Sequence, residues 1–438
     1  MNRFLTLAFL FILFLFSLTV FSGLGDIIRA EEKSGSAIAE NVVAAENDGD
    51  FLTPTELAAA KTKFQITITS FFKGKIYPIA VLLLLIFSGL SKQIYLLVSR
   101  ISTRYFFRLP LFVILFLLIF MALKIPLLIW DAGIAEKVYG YKWTWGNLLR
   151  PLLNEWGLLS IVGIIAAFIF FPLLRKKPKT WWIWSSIVVS ILAFAFINIS
   201  PLLSSSGGKG LKVMPESELK NKLEVILVKA GRPDIPIYIL ETSNTGRNKT
   251  PNGRVMGIPP KVILWDIDNT SDDEVEFLFA HELSHYIYRH VFIMIPIALI
   301  ILGIGLPVSG RVVKWMAARY SKRTGFSESW EIPAFPAWLM MILCISFISV
   351  PVQFYPMWFI ENHADRNGAR LSGKPLAGAK MYADTIRLLK IYPDPPKYLY
   401  VWHDPHPPLG TRVRQLLDIA GKEQNDIMPE RAPRREEH

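Results

Sequence analysis

Seven long apolar runs govern what this chain can become: residues 4–24, 76–98, 109–130, 157–174, 181–203, 291–308 and 334–355. A helix needs about 17–25 largely apolar residues to cross about 30 Å of hydrocarbon, and each run meets that length. Buried helices of a large water-soluble core would need polar faces, which these runs lack. Several are bounded by Trp or Tyr, residues that favour the membrane–water interface. Composition agrees, with 52% hydrophobic and only 19% charged residues among 438. The excess of basic residues, +12 overall, then reads as loops that orient spans against a bilayer, and nucleic acid is not expected as a partner. One cysteine, Cys344, lies inside an apolar run, which excludes a disulfide framework and a thiolate metal site.

The first run, with Arg3 ahead of it, is either a signal peptide or an uncleaved first helix. Residues 25–75 form a polar linker of low aromatic content. Residues 76–203 hold spans two to five. A water-facing region opens with the tether "SSSGGKG", followed by an amphipathic helix in "ESELKNKLEVILVKAG" that Gly231 ends. "IPIYILET" and "KVILWD" read as short strands. The region from 204 to 420 includes spans six and seven, and 421–438 is expected to be a disordered tail.

Chemistry enters at Ser271. Ser271-Asp272-Asp273-Glu274 fits a capping box, so a helix starts there. Further along it, His281 and His285 stand four apart, on one face, with Glu282 between them. Two imidazoles so spaced can bind one Zn²⁺ while the carboxylate acts on water as general base. Downstream, "WFIENHADRNGARL" offers a third ligand, Glu361, with Asp365 on the same helical face to accept the free N–H of a ligating imidazole. His363, about 200° away from Glu361 on a helix, reads as a surface or packing residue. No Gly or Pro interrupts Glu274 to Ile295, so the catalytic helix is expected to run unbroken into the sixth span. In "HDPHPPLGTRVRQLL", His406 precedes two prolines in a fixed turn and can donate to a developing oxyanion, while Arg412 can pair with an acid near the metal.

The motifs His-Glu-Leu-Ser-His, Glu-x-x-x-Asp and His-Pro-Pro with a following Arg come in an order that resembles the CAAX prenyl protease type I family of integral-membrane zinc endopeptidases. It is also similar to the smaller bacterial heat-shock membrane proteases. "AEKVYGYKWTW" resembles that family's Glu-Lys-x-x-Gly-aromatic stretch. The resemblance implies one Zn²⁺ per chain on His281, His285 and Glu361, Glu282 as the base, Asp365 as the orienting acid, and His406 and Arg412 near the transition state. It also implies a peptide or membrane-protein substrate and a site in a water-filled chamber. Ser284 stands where the family usually has Gly, and its Asn-Ala-aromatic substrate segment appears only as Asn252-Gly253-Arg254, which leaves Asn252 as the candidate substrate-binding residue.

The fold expected is mainly α: a polytopic transmembrane helical bundle of about seven spans carrying a small zincin-type α+β metallopeptidase domain. The short basic stretches 100–108, 175–179 and 311–323 are expected to face the cytoplasm, which puts the zinc domain on the other side.

Overall fold

A computed structural model describes residues 51–139, 142–187, 190, 210–240, 250–257 and 259–427. The expected first span, the first half of the linker, most of the fifth span and residues 428–438 lie outside these.

The chain divides into two compact units. In the first, residues 66–197 with 295–352, the elements are long apolar helices. Helix α1 spans Pro54–Phe87 and is followed by α2 (Leu90–Ile101), α3 (Tyr105–Tyr139) and α4 (Trp145–Lys176). Their buried faces, with Leu82, Phe112, Phe116 and Phe170, form one core that includes Trp181, Val313, Phe335 and Trp338 from later in the chain. Lys124 of α3 is held by Glu155 of α4 at 2.6 Å.

Five helical segments among the described residues are long and apolar enough to cross a membrane: Pro54–Phe87, Tyr105–Ile134, Trp145–Lys176, His290–Thr324 and Ile332–Ser372. Five, not about seven, is therefore the number the described chain supports, and the protein is a multi-pass membrane protein. The boundaries also move. The run 76–98 is not one helix, because Gly89 adopts φ 83°, a left-handed conformation that ends α1 and starts the separate α2. The second half of the supposed linker is helical from Pro54, since "PTELAAAKTKF" is rich in helix formers.

The second unit comprises residues 35–65, 198–294 and 353–438. A four-stranded sheet of order β1-β2-β4-β3 is built from β1 (Leu211–Val213), β2 (Ile237–Leu240), β3 (Asn252–Met256) and β4 (Lys261–Trp265). β2 and β4 run parallel, while β1 and β3 are antiparallel to their neighbours. Helix α5 (Glu218–Lys229) ends at Gly231, φ 67°, as its sequence suggests.

Helix α6 (Asp272–Ile287) is buried on two sides. Val275, Phe279 and Leu283 join the core of α5 and the sheet. Phe277 and Leu278 join a second core with Ala369, Tyr382, Ile386, Val413 and Leu416. The remaining helices are α7 (His290–Thr324), α8 (Phe335–Ile348), α9 (Val350–Ser372), α10 (Pro375–Leu389), α11 (Lys397–Tyr400) and α12 (Leu409–Ile427). α12 carries residues 421–427, expected from the sequence to belong to a disordered tail. The stretch 311–323 is the end of α7 rather than a loop.

The expected unbroken helix from Asp272 to Ile295 is not found. α6 stops at Ile287, Tyr288 caps it, and Arg289 turns into the left-handed region at φ 53° before α7 starts at His290. Nothing in "HYIYRHVF" punctuates the helix. The break is imposed by the surroundings, and His290 is buried just beyond it.

Candidate metal centre

Two helices of the second unit supply the candidate metal-ligand set. The capping box of α6 forms as its sequence predicts, with the Ser271 N–H donating to Glu274 Oε2 at 3.2 Å. Further along α6, the Nε2 atoms of His281 and His285 lie 3.2 Å apart. From α9, Glu361 brings Oε2 to 3.4 Å from His281 Nε2 and Oε1 to 3.5 Å from His285 Nε2. The helices can approach this closely because residue 368 of α9 is glycine. A Cβ there would lie 3.0 Å from the His281 backbone nitrogen and Cα.

These distances suit a metal. Four ligands at Zn–N and Zn–O lengths of about 2.0–2.1 Å in a tetrahedron sit about 3.3 Å from one another. His281, His285 and Glu361 are such a triangle, all three ligand atoms within 4.8 Å of one another, and no other comparable group of His, Cys, Asp or Glu occurs among the described residues. The electrostatics suit a cation too. Burial opposes a charge on His281, yet the carboxylates of Asp365 and Glu361 raise its pKa well above the usual imidazole range. A pocket that draws a proton onto a buried imidazole is short of positive charge, which a divalent ion supplies.

Behind His281 stands Asp365, fully buried, with Oδ1 3.0 Å from His281 Nδ1. Arg412 of α12 grips the same carboxylate with two hydrogen bonds, Nε to Oδ2 at 2.8 Å and Nη2 to Oδ1 at 2.7 Å. The Tyr382 hydroxyl donates to Oδ1 at 2.9 Å and contacts Arg412 Nη2, and its ring lies under the guanidinium, 4.1 Å away. Asp365 is therefore oriented by two groups through three hydrogen bonds and in turn orients His281.

Glu282 is the half-buried residue between the two histidines. Burial pushes its carboxyl up to about 7, near the value at which one group both accepts and returns a proton in neutral water. Strand β3 passes over it: a Cβ on Gly253 would lie 3.2 Å from Glu282 Cγ. His406 stands at the open side, its side chain 51% exposed and its Nε2 3.9 Å from Glu361 Oε1. Asp404 holds it, accepting from the His406 backbone N–H at 2.8 Å and meeting Nδ1 at 3.1 Å. Burial opposes a charge on His406, but that contact raises its pKa, so Nε2 can carry a proton to donate. Tyr400 donates to the other Asp404 oxygen at 3.0 Å.

Of the residues singled out in the sequence, His281, Glu282, His285, Glu361, Asp365, His406 and Arg412 come together. Asn252 does not join them; it lies exposed on β3, and its side-chain oxygen accepts from the neighbouring Gly253 N–H at 2.8 Å. Sequence reasoning missed Tyr382, Asp404 and the strand β3 itself. Asp404 had a signal, since an Asp two residues before a His in "DPH" accepts the backbone N–H that it takes here. Tyr382, on a separate helix, had none.

Residues 214–420 match the model of peptidase family M48. Over 404 residues the chain is 24% identical to the uncharacterized metalloprotease YhfN of Bacillus subtilis, covering 89% of this chain and 91% of that one. It is 24% identical to CAAX prenyl protease 1 of Saccharomyces cerevisiae over 39% of each chain. A protease HtpX homolog of Methanopyrus kandleri is 27% identical over 44% of this chain and 63% of its own. In fold, the chain is similar to the crystal structure of S. mikatae Ste24p, with TM-score 0.63, 16% identity, and coverage of 93% of this chain and 98% of that one.

Proposed function

Since residues 214–420 form a peptidase family M48 domain, and the chain is a zinc-dependent membrane endopeptidase resembling the CAAX and HtpX proteases, we propose the following division of labour. His281, His285 and Glu361 hold one Zn²⁺ per chain. When bound, that ion would supply a Lewis acid that polarises a scissile carbonyl and acidifies water. Glu282 takes the proton of the attacking water and passes it to the leaving amine. His406, held by Asp404, donates from Nε2 to the carbonyl oxygen as negative charge grows there. Asp365, locked by Arg412 and Tyr382, keeps the His281 ring in place.

The observation that carries this reading is the ligand cluster: the two Nε2 atoms lie 3.2 Å apart, with one Glu361 oxygen 3.4 Å from His281 and the other 3.5 Å from His285. Among the described residues β3 pairs only with β4, so its outer edge is offered to an extended peptide, and Gly253 would let that peptide pass close to Glu282. We assign processing of a membrane-associated peptide, as the name of the yeast relative suggests. A second reading, cleavage of damaged membrane proteins, draws on the similarity to the HtpX homolog.

The test is cleavage by purified protein of a prenylated peptide and of an unfolded, unlipidated one, beside Glu282→Gln. The reading expects zinc-dependent cleavage that Glu282→Gln abolishes. Preference for the prenylated peptide favours processing, equal cleavage of both favours the second reading, and no zinc-dependent cleavage of either overturns both.

For orientation we favour a non-cytoplasmic catalytic domain. The support is the positive-inside rule applied to the basic stretches 100–108, 175–179 and 311–323. A compartment-sensitive reporter fused after Lys177 should read cytoplasmic and one after Ile427 non-cytoplasmic; the reverse overturns the assignment.

A further inference from the structure

Three imidazoles stand in file behind the metal face. His285 Nδ1 lies 3.0 Å from His290 Nδ1, and His290 Nε2 lies 3.0 Å from His363 Nδ1. The far nitrogen of His363, Nε2, faces the side-chain amide nitrogen of Asn367, 3.1 Å away. His290 is 5% exposed, and its ring is 5.0 Å from that of His285 and 5.2 Å from that of His363.

A metal-ligating imidazole is neutral, so its second nitrogen carries the hydrogen and needs an acceptor. His281 turns that nitrogen to Asp365. His285 has no carboxylate there; the atom facing its Nδ1 is another ring nitrogen. Two imidazole nitrogens bond only when one has a hydrogen and the other a lone pair. With His285 Nε2 given to a metal, Nδ1–H must donate, His290 Nδ1 must accept, and the hydrogen of His290 must sit on Nε2. That hydrogen points at His363 Nδ1; for Nδ1 to accept it, the hydrogen of His363 must sit on Nε2, and the Asn367 amide, whose nitrogen faces Nε2 here, must turn its oxygen to it.

The backbone supports this. On an unbroken helix His290, five residues after His285, would point about 140° away from it. The left-handed turn at Arg289, φ 53°, a conformation disfavoured for a side chain of this kind, brings the His290 ring back against His285.

We propose that His290 is a positioning residue for the metal ligand His285, fixing its tautomer and ring direction, and that His363 holds His290 in the accepting tautomer. This rests on the ligand assignment above. It gives His363 a role that its place on the far side of the ligand helix did not suggest.

The test uses the full-length detergent-purified protein, with zinc affinity read by chelator competition and the ligand field by the cobalt(II) absorption spectrum. His290→Phe, which fills the space but cannot accept, should weaken zinc binding by about 10- to 100-fold and alter the cobalt spectrum. His290→Asn, whose Oδ1 can take the place of Nδ1, should stay within about threefold of wild type. Wild-type affinity in His290→Phe, or equal loss in both variants, overturns the proposal. If His290→Phe does not fold, His363→Leu decides: weakened zinc binding with an unchanged metal-free melting temperature supports the chain of imidazoles, and unchanged binding overturns it. Glu361→Ala separates the two levels. If it binds zinc as wild type does, the ligand assignment fails; if it loses zinc while His290→Phe does not, only the positioning role fails.

Discussion

Glu282 and Asp365 are both carboxylates within the same few ångströms of His281, and their surroundings give them opposite work. Among the described residues Glu282 forms no ion pair with a cation, and burial pushes its carboxyl up to about 7. Glu282→Gln keeps the ligand triangle and removes the base. It is expected to retain zinc, measured by metal analysis, and to lose about 10²–10⁴-fold in turnover. Asp365 is bound on every side, by Arg412, Tyr382 and His281. Asp365→Asn removes the carboxylate charge from the paired bonds that hold the buried Arg412 guanidinium and leaves it only the longer contact with Glu361, at 3.4 Å. It should lower the melting temperature of the metal-free protein as well as weaken zinc binding. A variant that loses zinc affinity but melts as wild type would show that Arg412 is not held by this carboxylate.

At the scale of elements, the site depends on two close approaches. β3 lies over Glu282 at Gly253, and a side chain there would meet Glu282 Cγ and, at 2.9 Å, Leu264 Cδ2. Gly253→Val should depress turnover while leaving zinc bound, because it displaces the base and not the ligands. α9 lies against α6 at Gly368, and Gly368→Val should act in the reverse order, separating Glu361 from the histidines so that zinc is lost first. Metal content and turnover measured on both variants distinguish these outcomes. The ligand set was legible in the sequence because i, i+4 spacing puts His281 with His285 and Glu361 with Asp365 whatever the tertiary structure. β3 was not, because Asn-Gly-Arg carries turn residues and becomes a strand only by pairing with β4. The break at Arg289 was hidden for a similar reason: local preference favours helix there, and burial of His290 overrides it. His290 lies five residues from His285, a spacing that no helical pattern associates.

Across the whole molecule, the apolar runs identified a multi-pass membrane protein, yet their ends were misplaced. Hydropathy sees where residues are greasy, not where a left-handed glycine such as Gly89 divides one greasy run into two helices. The same composition explains how a chain with one cysteine can still hold zinc: nitrogen and oxygen ligands remain, drawn from helices that begin or end near the apolar runs. The central claim is that His281, His285 and Glu361 form the metal centre, with His290 and His363 outside it. X-ray absorption at the zinc edge of the purified full-length protein tests this most directly. The account predicts one zinc per chain with two imidazole nitrogens at about 2.0–2.1 Å and the remaining positions filled by oxygen. A third imidazole in the coordination shell, or no bound zinc at all, would contradict it.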